Sequence, residues 1–308
     1  MTTARPRPRP VAEAEEPVNP TESDPALARR LAARAGELLL WVRAAHGHDD
    51  PATLKAAGDR AAHDFLRTEL ARCRPADAVL SEEDVNSRTV ATEAGGRLTA
   101  DRVWIIDPLD GTREFSEAGR SDWAVHVALW ARDAPTSHRL VAAAVGLPAQ
   151  LRVLTTQDRP ARPDRSDRRV RLAASRSRPP AFLTELAAEV GAELVPMGSA
   201  GAKIAAVVTG EVDAYIHAGG QYEWDSAAPV AVATATGLHA SRIDGSALKY
   251  NEADPRLPDL LVCRTDLAGP LLAALHRHLS GTVANRRHLS GTVATAASVV
   301  PSSRKELR

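Results

Sequence analysis

The run Arg102-Val103-Trp104-Ile105-Ile106-Asp107-Pro108-Leu109-Asp110-Gly111-Thr112 decides how the chain is read. Its first five residues form a compact, β-rich strand. Proline has no N–H for a ladder, so the strand is expected to stop at Asp107-Pro108. In the turn that follows, Gly111 permits close backbone approach and Thr112 can open a helix. Asp107, Asp110 and the Leu109 carbonyl then face one spot, joined by free N–H groups of the next helix. Hard cations take oxygen ligands, and phosphate takes both cations and helix N-termini. One short segment is therefore suited to hold metal and phosphate together. The same residues also compose an ordinary Asp-Pro turn followed by an Asp-Gly turn. What separates the two readings is the company. Glu82-Glu83 follow another apolar strand, Glu223-Trp224-Asp225 precede a helix, and Gly198-Ser199 open a third with Lys203 one turn in.

Outward from that segment, helical and strand patterns alternate. Ser23-Asp24-Pro25 opens a helix on which Leu27, Leu31, Ala35, Leu38, Leu39 and Val42 recur at helical spacing. A second amphipathic helix is expected from about Asp59 to Arg72, and a short strand over Ala78-Val79-Leu80. Residues 85–100 read as irregular, and 152–169, rich in Arg, Asp and Pro, as an exposed hairpin or loop. Further strands are expected over 123–130, 141–147, 170–174, 193–196, 214–217 and 260–263. Helices are expected over 182–190, 198–208, 225–236 and 267–279. The sum is a layered α/β protein with mixed sheets. Residues 24–145 and 146–279 form two comparable halves, between a disordered extension over 1–23 and a disordered tail over 280–308. In the tail, Arg277-His278-Leu279-Ser280-Gly281-Thr282-Val283-Ala284 recurs unchanged over 287–294, a single duplication rather than a solenoid.

Composition narrows the partners. Lys+Arg and Asp+Glu both number 39 in 308 residues, so no net field exists to hold nucleic acid. Cys73 and Cys263 have no CxxC neighbour, which argues for two reduced, buried thiols and a cytoplasmic protein. Arg5, Arg7 and Arg9 alternate with prolines and lead into no apolar stretch, unlike a secretory signal. No apolar run is long enough to span a bilayer.

The combination of Ser81-Glu82-Glu83, Asp107-Pro108-Leu109-Asp110-Gly111-Thr112-Arg113-Glu114-Phe115 and Trp224-Asp225-Ser226-Ala227-Ala228-Pro229 resembles the inositol-monophosphatase superfamily. Arg113-Glu114-Phe115 and the Gly198-Ser199 segment are similar to those of its 3′(2′),5′-bisphosphate nucleotidases of the CysQ type. The resemblance spans about residues 25–275 and implies the layered αβαβα sandwich of the sugar phosphatases. It implies Mg²⁺, two or three ions per site, held by Glu82, Asp107, the Leu109 carbonyl, Asp110 and Asp225. Gly111 and Thr112 then meet the phosphate and the attacking water, with Asp59 orienting Thr112, although Ala56 stands where the family pattern has threonine. Asp59 also reads as the N-cap of its helix. Ser199, Lys203 and Glu223 match substrate-binding positions, together with Leu109, Asp110, Gly111, Thr112 and Asp225. Ser199 reads equally as a helix cap, and Glu223 as a solvated loop charge. Arg113 either meets a second phosphate or pairs with Glu114. Tyr222 and Trp224 are packing residues or an aromatic wall for adenine. His126 and His217 read as interior or edge histidines, since Mg²⁺ prefers oxygen.

The activity implied is hydrolysis of the 3′-phosphate of 3′-phosphoadenosine 5′-phosphate to AMP, linked to sulfate assimilation and inhibited by Li⁺. An inositol-1-phosphate or fructose-1,6-bisphosphate phosphatase with the same centre is the alternative, and a non-catalytic binding protein on the same fold the third reading. A small phosphorylated molecule is the expected partner, with neither nucleic acid nor membrane, and a homodimer is open.

Overall fold

The computed structural model describes residues 19, 21–84, 96–160, 168–177 and 179–291, with side chains of the last helix described up to 279. The expectations of disorder before 19 and beyond 291, and most of the irregular stretch 85–100, lie outside the described residues. The chain is already anchored at Glu22, which pairs with Arg30 at 2.9 Å, so the expected disordered extension does not reach residue 23.

Helix α1 (Asp24–His46) starts as its sequence asks, with Ser23 accepting from the Ala26 N–H. Helix α2 (Pro51–Cys73) starts well before Asp59, because Asp50 caps the Ala52 and Thr53 N–H groups and Pro51 takes the first helical position. Asp59 is therefore a mid-helix residue and not a cap.

The first sheet has the order β1 (Ala78–Ser81), β2 (Arg102–Asp110), β3 (Ala124–Ala131), β4 (Leu140–Leu147), β5 (Arg152–Thr155). β1 is parallel to β2, and the other neighbours are antiparallel. The stretch 152–169, expected as an exposed hairpin or loop, begins with β5, which pairs antiparallel with β4 in the first sheet. The chain thus leaves that sheet beyond Thr155, later than the division at 145/146.

β2 does not stop at Pro108. Its pairing with β3 shifts between Asp107↔His126 and Asp110↔Ala124, so two residues of β2 oppose one of β3. Pro108 occupies this bulge, where the ladder is already broken. The extra residue also decides where the carboxylates lie. Side chains three apart on a regular strand point to opposite faces. Val103 and Ile105 face the middle of the molecule, Trp104 and Ile106 face α1 and α2, and the bulge brings Asp110 back to the side of Asp107.

After β2 come α3 (Thr112–Ser116), a 3-10 turn at Pro148–Gln150, β6 (Arg171–Ser175), α4 (Leu183–Glu189), β7 (Glu193–Met197) and α5 (Ala200–Val208). β8 (Ala214–Ala218), α6 (Glu223–Ala235), β9 (His239–Ser241), β10 (Asp259–Cys263) and α7 (Thr265–Gly291) complete the chain. The second sheet has the order β7-β6-β8-β10-β9, parallel around β6 and antiparallel around β10. Helix α7 runs twelve residues past Leu279, so residues 280–291 continue the helix where disorder was expected.

Three apolar clusters define five layers. One joins α1 and α2 to the first sheet through Leu31, Leu66, Trp104 and Val127. The central one joins both sheets to α5 and α6 through Ile105, Ile204, Val230 and Val262. The third joins the second sheet to α4 and α7 through Leu186, Ile216 and Leu275. This is the expected αβαβα sandwich, with α5 and α6 in the middle layer. Among the described residues no helix is long and apolar enough to cross a membrane.

Candidate metal centre

The end of β2 meets the starts of α5 and α6. Oxygens of Asp107, Asp110 and Asp225 all lie within 4.8 Å of one another. Asp107 and Asp110 are buried, and Asp225 stands in the first turn of α6, its Oδ2 accepting from the Tyr222 N–H at 2.7 Å. Glu82 follows β1, whose parallel pairing with β2 carries it beside Asp107. Burial, then the acidic neighbours Glu82, Asp110 and Asp225, push the Asp107 carboxyl well up. Burial and Asp110 raise Asp225 to about 7.

Asp110 is different. It accepts from the Ser199 hydroxyl at 2.5 Å, from Gly201 N–H at 2.6 Å and from Ala200 N–H at 3.2 Å. It thus sits on the N-terminus of α5, where backbone N–H groups lack helical partners. His126 Nε2 lies 3.3 Å from its Oδ2, while His126 Nδ1 is 2.9 Å from the Trp224 carbonyl. A carbonyl only accepts, so Nδ1 carries a proton. A neutral ring would aim a lone pair at Asp110, so the pair favours imidazolium. Burial opposes charge on both groups, yet their mutual contact raises His126 and holds Asp110 below the usual carboxylate range. His126 is thus an interior histidine with a task at the site. Gly201 makes the approach possible, since a Cβ there would overlap His126 Nε2.

The turn after β2 is shaped by Gly111, at φ 87°, where a Cβ would also come within 2.9 Å of Ser199. The Thr112 hydroxyl donates to the Leu109 carbonyl at 3.3 Å, and not to Asp59. Asp59 is brought near by Gly58, against which Phe115 and Leu109 pack. Burial, Glu83 and Glu82 lift Asp59 to about 7.

The remaining expected residues fall into place unevenly. Ser199 is the cap of α5, accepting from Ala202 N–H at 2.9 Å, and reaches Asp110 as well. Lys203 is buried, its ammonium on the Gly198 and Ser199 carbonyls. Glu223 is no solvated charge. It is 1% exposed and accepts from the Asn251 and Glu252 N–H groups at 2.7 and 2.8 Å, and burial lifts it to about 7. Arg113 is exposed, and Glu114 pairs with Arg176 at 2.8 Å instead. His217 lies outside the centre, bonded to Tyr215 and Gly219. Sequence reasoning missed Asp122, which accepts from Gly198 N–H at 2.6 Å and holds the Gly198-Ser199 turn. No local pattern marks it.

The donor set suits a hard divalent cation. Its atoms are all oxygens, and two of the three clustered carboxyls are held above their ordinary range, by burial first and then by acidic neighbours whose charge a cation would neutralise.

The chain belongs to the inositol monophosphatase family, whose model matches residues 23–284. Among its relatives, a protein of Mycobacterium bovis named "3′-phosphoadenosine 5′-phosphate phosphatase" is 53% identical over 78% of this chain and 89% of its own. The Mycobacterium leprae protein of the same name is 50% identical over 82% and 93% of the two chains. The Escherichia coli K12 protein "3′(2′),5′-bisphosphate nucleotidase CysQ" is 30% identical over 63% and 78%. Mycobacterium tuberculosis SuhB has the same fold, with a TM-score of 0.61 and 25% identity over 82% of this chain and 95% of its own.

Proposed function

We propose that this chain is a Mg²⁺-dependent phosphomonoesterase that removes the 3′-phosphate of 3′-phosphoadenosine 5′-phosphate, leaving AMP. The three-aspartate cluster carries the reading, and the names of the 53% and 50% identical relatives supply the substrate. Glu82, Asp107, the Leu109 carbonyl, Asp110 and Asp225 would hold two or three ions. When bound, Mg²⁺ supplies charge neutralisation of the phosphoryl oxygens and acidifies water.

The protein's own groups do the positioning. Asp110 is fixed by α5 and His126, so its free edge is presented in one orientation. The Thr112 proton is committed to the Leu109 carbonyl, so Thr112 Oγ1 offers lone pairs to a water hydrogen. Asp59, at about 7, is suited to receive the proton that this water releases. Water attacks phosphorus in line, the bond to O3′ breaks, and O3′ takes a proton from solvent. In this reading the enzyme acts in the cytoplasm, clears a by-product of sulfate assimilation, and is inhibited by Li⁺ competing with Mg²⁺.

Phosphate release from 3′-phosphoadenosine 5′-phosphate, inositol 1-phosphate and fructose 1,6-bisphosphate at matched Mg²⁺ tests the substrate. The nucleotide should have the highest kcat/KM. A preference for inositol phosphate overturns the nucleotide, and full activity after chelation overturns the metal.

A further inference from the structure

Two aromatic side chains flank Glu223 at the start of α6, and they are treated differently by the fold. Trp224 is 2% exposed and belongs to the central core. Tyr222 lies flat against it, ring centroids 4.6 Å apart and planes within 6°. One face of the tyrosine ring is spent on tryptophan, yet the residue stays 37% exposed, one of few large apolar side chains left open among the described residues. The position is tied to the metal centre, because the Tyr222 N–H donates to Asp225 Oδ2. A backbone bridge to Arg256 fixes it from the other side. A flat ring that is already stacked and backbone-anchored loses little freedom when a second flat ring settles on it.

We propose that the open face of Tyr222 is the platform for the substrate's nucleobase. It is the residue by which this centre tells a nucleotide from an inositol or sugar phosphate. The proposal rests on the nucleotide reading above. Metal-held phosphate contacts are the same for every phosphomonoester, so discrimination must come from groups beside them. Base–aromatic stacking commonly changes affinity by roughly 5- to 150-fold. It needs a ring face and no particular hydrogen bond.

The test compares Tyr222→Leu, Tyr222→Ala and Tyr222→Phe with wild type, with melting temperatures measured to confirm folding. AMP binding by calorimetry in Mg²⁺ is read beside KM and kcat on 3′-phosphoadenosine 5′-phosphate and inositol 1-phosphate. The Leu and Ala variants should weaken AMP binding and raise the nucleotide KM roughly tenfold. Phe should match wild type, and kcat and the inositol phosphate KM should stay within about twofold. Unchanged AMP affinity in the Leu variant overturns the platform, as does an equal loss on both substrates. A wild type that prefers inositol phosphate sinks the nucleotide reading separately, and the AMP comparison still judges the platform. A wild type that binds no AMP overturns both.

Discussion

Asp107 and Asp110 sit three residues apart on one strand, both buried, and the fold pushes them in opposite directions. Asp107 looks out on Glu82 and Asp225, and its carboxyl is raised. Asp110 is clasped by Ser199, two N–H groups of α5 and His126, and its carboxyl is lowered. The centre therefore has an anchored side, whose charge the protein satisfies, and an open acidic side, whose charge it does not. The anchored side holds its geometry through hydrogen bonds that need no cation. On the open side, burial and like-charge neighbours disfavour ionisation, a penalty that a bound cation would relieve.

The sharpest way to break this comparison is to neutralise each aspartate in turn. Asp107→Asn should lower kcat/KM by at least about 10³-fold, because charge compensation at the reacting phosphate is lost. The same change should raise the melting temperature of the metal-free protein, since an amide avoids the cost of protonating a buried carboxyl among acidic neighbours. Asp110→Asn should also abolish most activity but lower that melting temperature, since the amide N–H₂ would face the donors of α5. Calorimetry in a chelator reads both signs. Equal signs would erase the distinction between the two sides.

A smaller effect is expected from Gly201→Ala. The new methyl must displace His126 from Asp110 or tilt the start of α5. Stability should fall by about 1–3 kcal/mol in urea unfolding. kcat/KM should fall by roughly 10- to 100-fold, because a small misplacement of Asp110 is enough. Wild-type values for both would mean that the anchored side needs no close approach.

The buried carboxyls in and around the open side also make a pH prediction. Asp59, Glu223 and Asp225 are each raised to about 7 in the fold, above their ordinary carboxyl values. The folded state then binds protons that the unfolded chain has released, so this contribution to stability is complete below about pH 4. It is lost as pH rises towards 7. Scanned from pH 5.5 to 8, the melting temperature of metal-free protein should drop by several degrees. Mg²⁺ should restore more of it at pH 8 than at pH 5.5. A flat profile without metal would show that these carboxyls are not protonated in the fold.

What could be read in the chain follows from how local each cause is. The meeting of Asp107 and Asp110 was legible because both carboxylates and the turn residues between them lie in one short run. The bulge at Pro108 was not, because it exists only in the pairing of β2 with β3. The start of α2 was legible but misread. Asp50-Pro51 is a cap followed by proline at the first helical position, a stronger signal than Asp59. Glu223 read equally as a substrate-binding residue and as a solvated loop charge, and its burial was hidden because the amides that hold it belong to Asn251 and Glu252, far along the chain. His126 was read as an interior or edge histidine and is interior, but its contact with Asp110 depends on a bulge and a glycine in different elements.

Lys203 gives the mildest test of the same division. Its place in the sequence suggested a substrate cation, whereas its ammonium is spent on the carbonyls of Gly198 and Ser199, behind the cap that holds Asp110. Burial pulls its pKa down, and the nearby acids, Asp110 first, oppose that. It belongs to the anchored side, where it braces the Gly198-Ser199 cap. Lys203→Met keeps the aliphatic stem and removes the donors, so it should lower the melting temperature by a few degrees. The KM for the nucleotide should stay within about threefold of wild type, since no substrate contact is removed. A KM rise of roughly tenfold or more at unchanged stability would instead put the ammonium on the substrate. The anchored side would then be a binding surface as well as a brace.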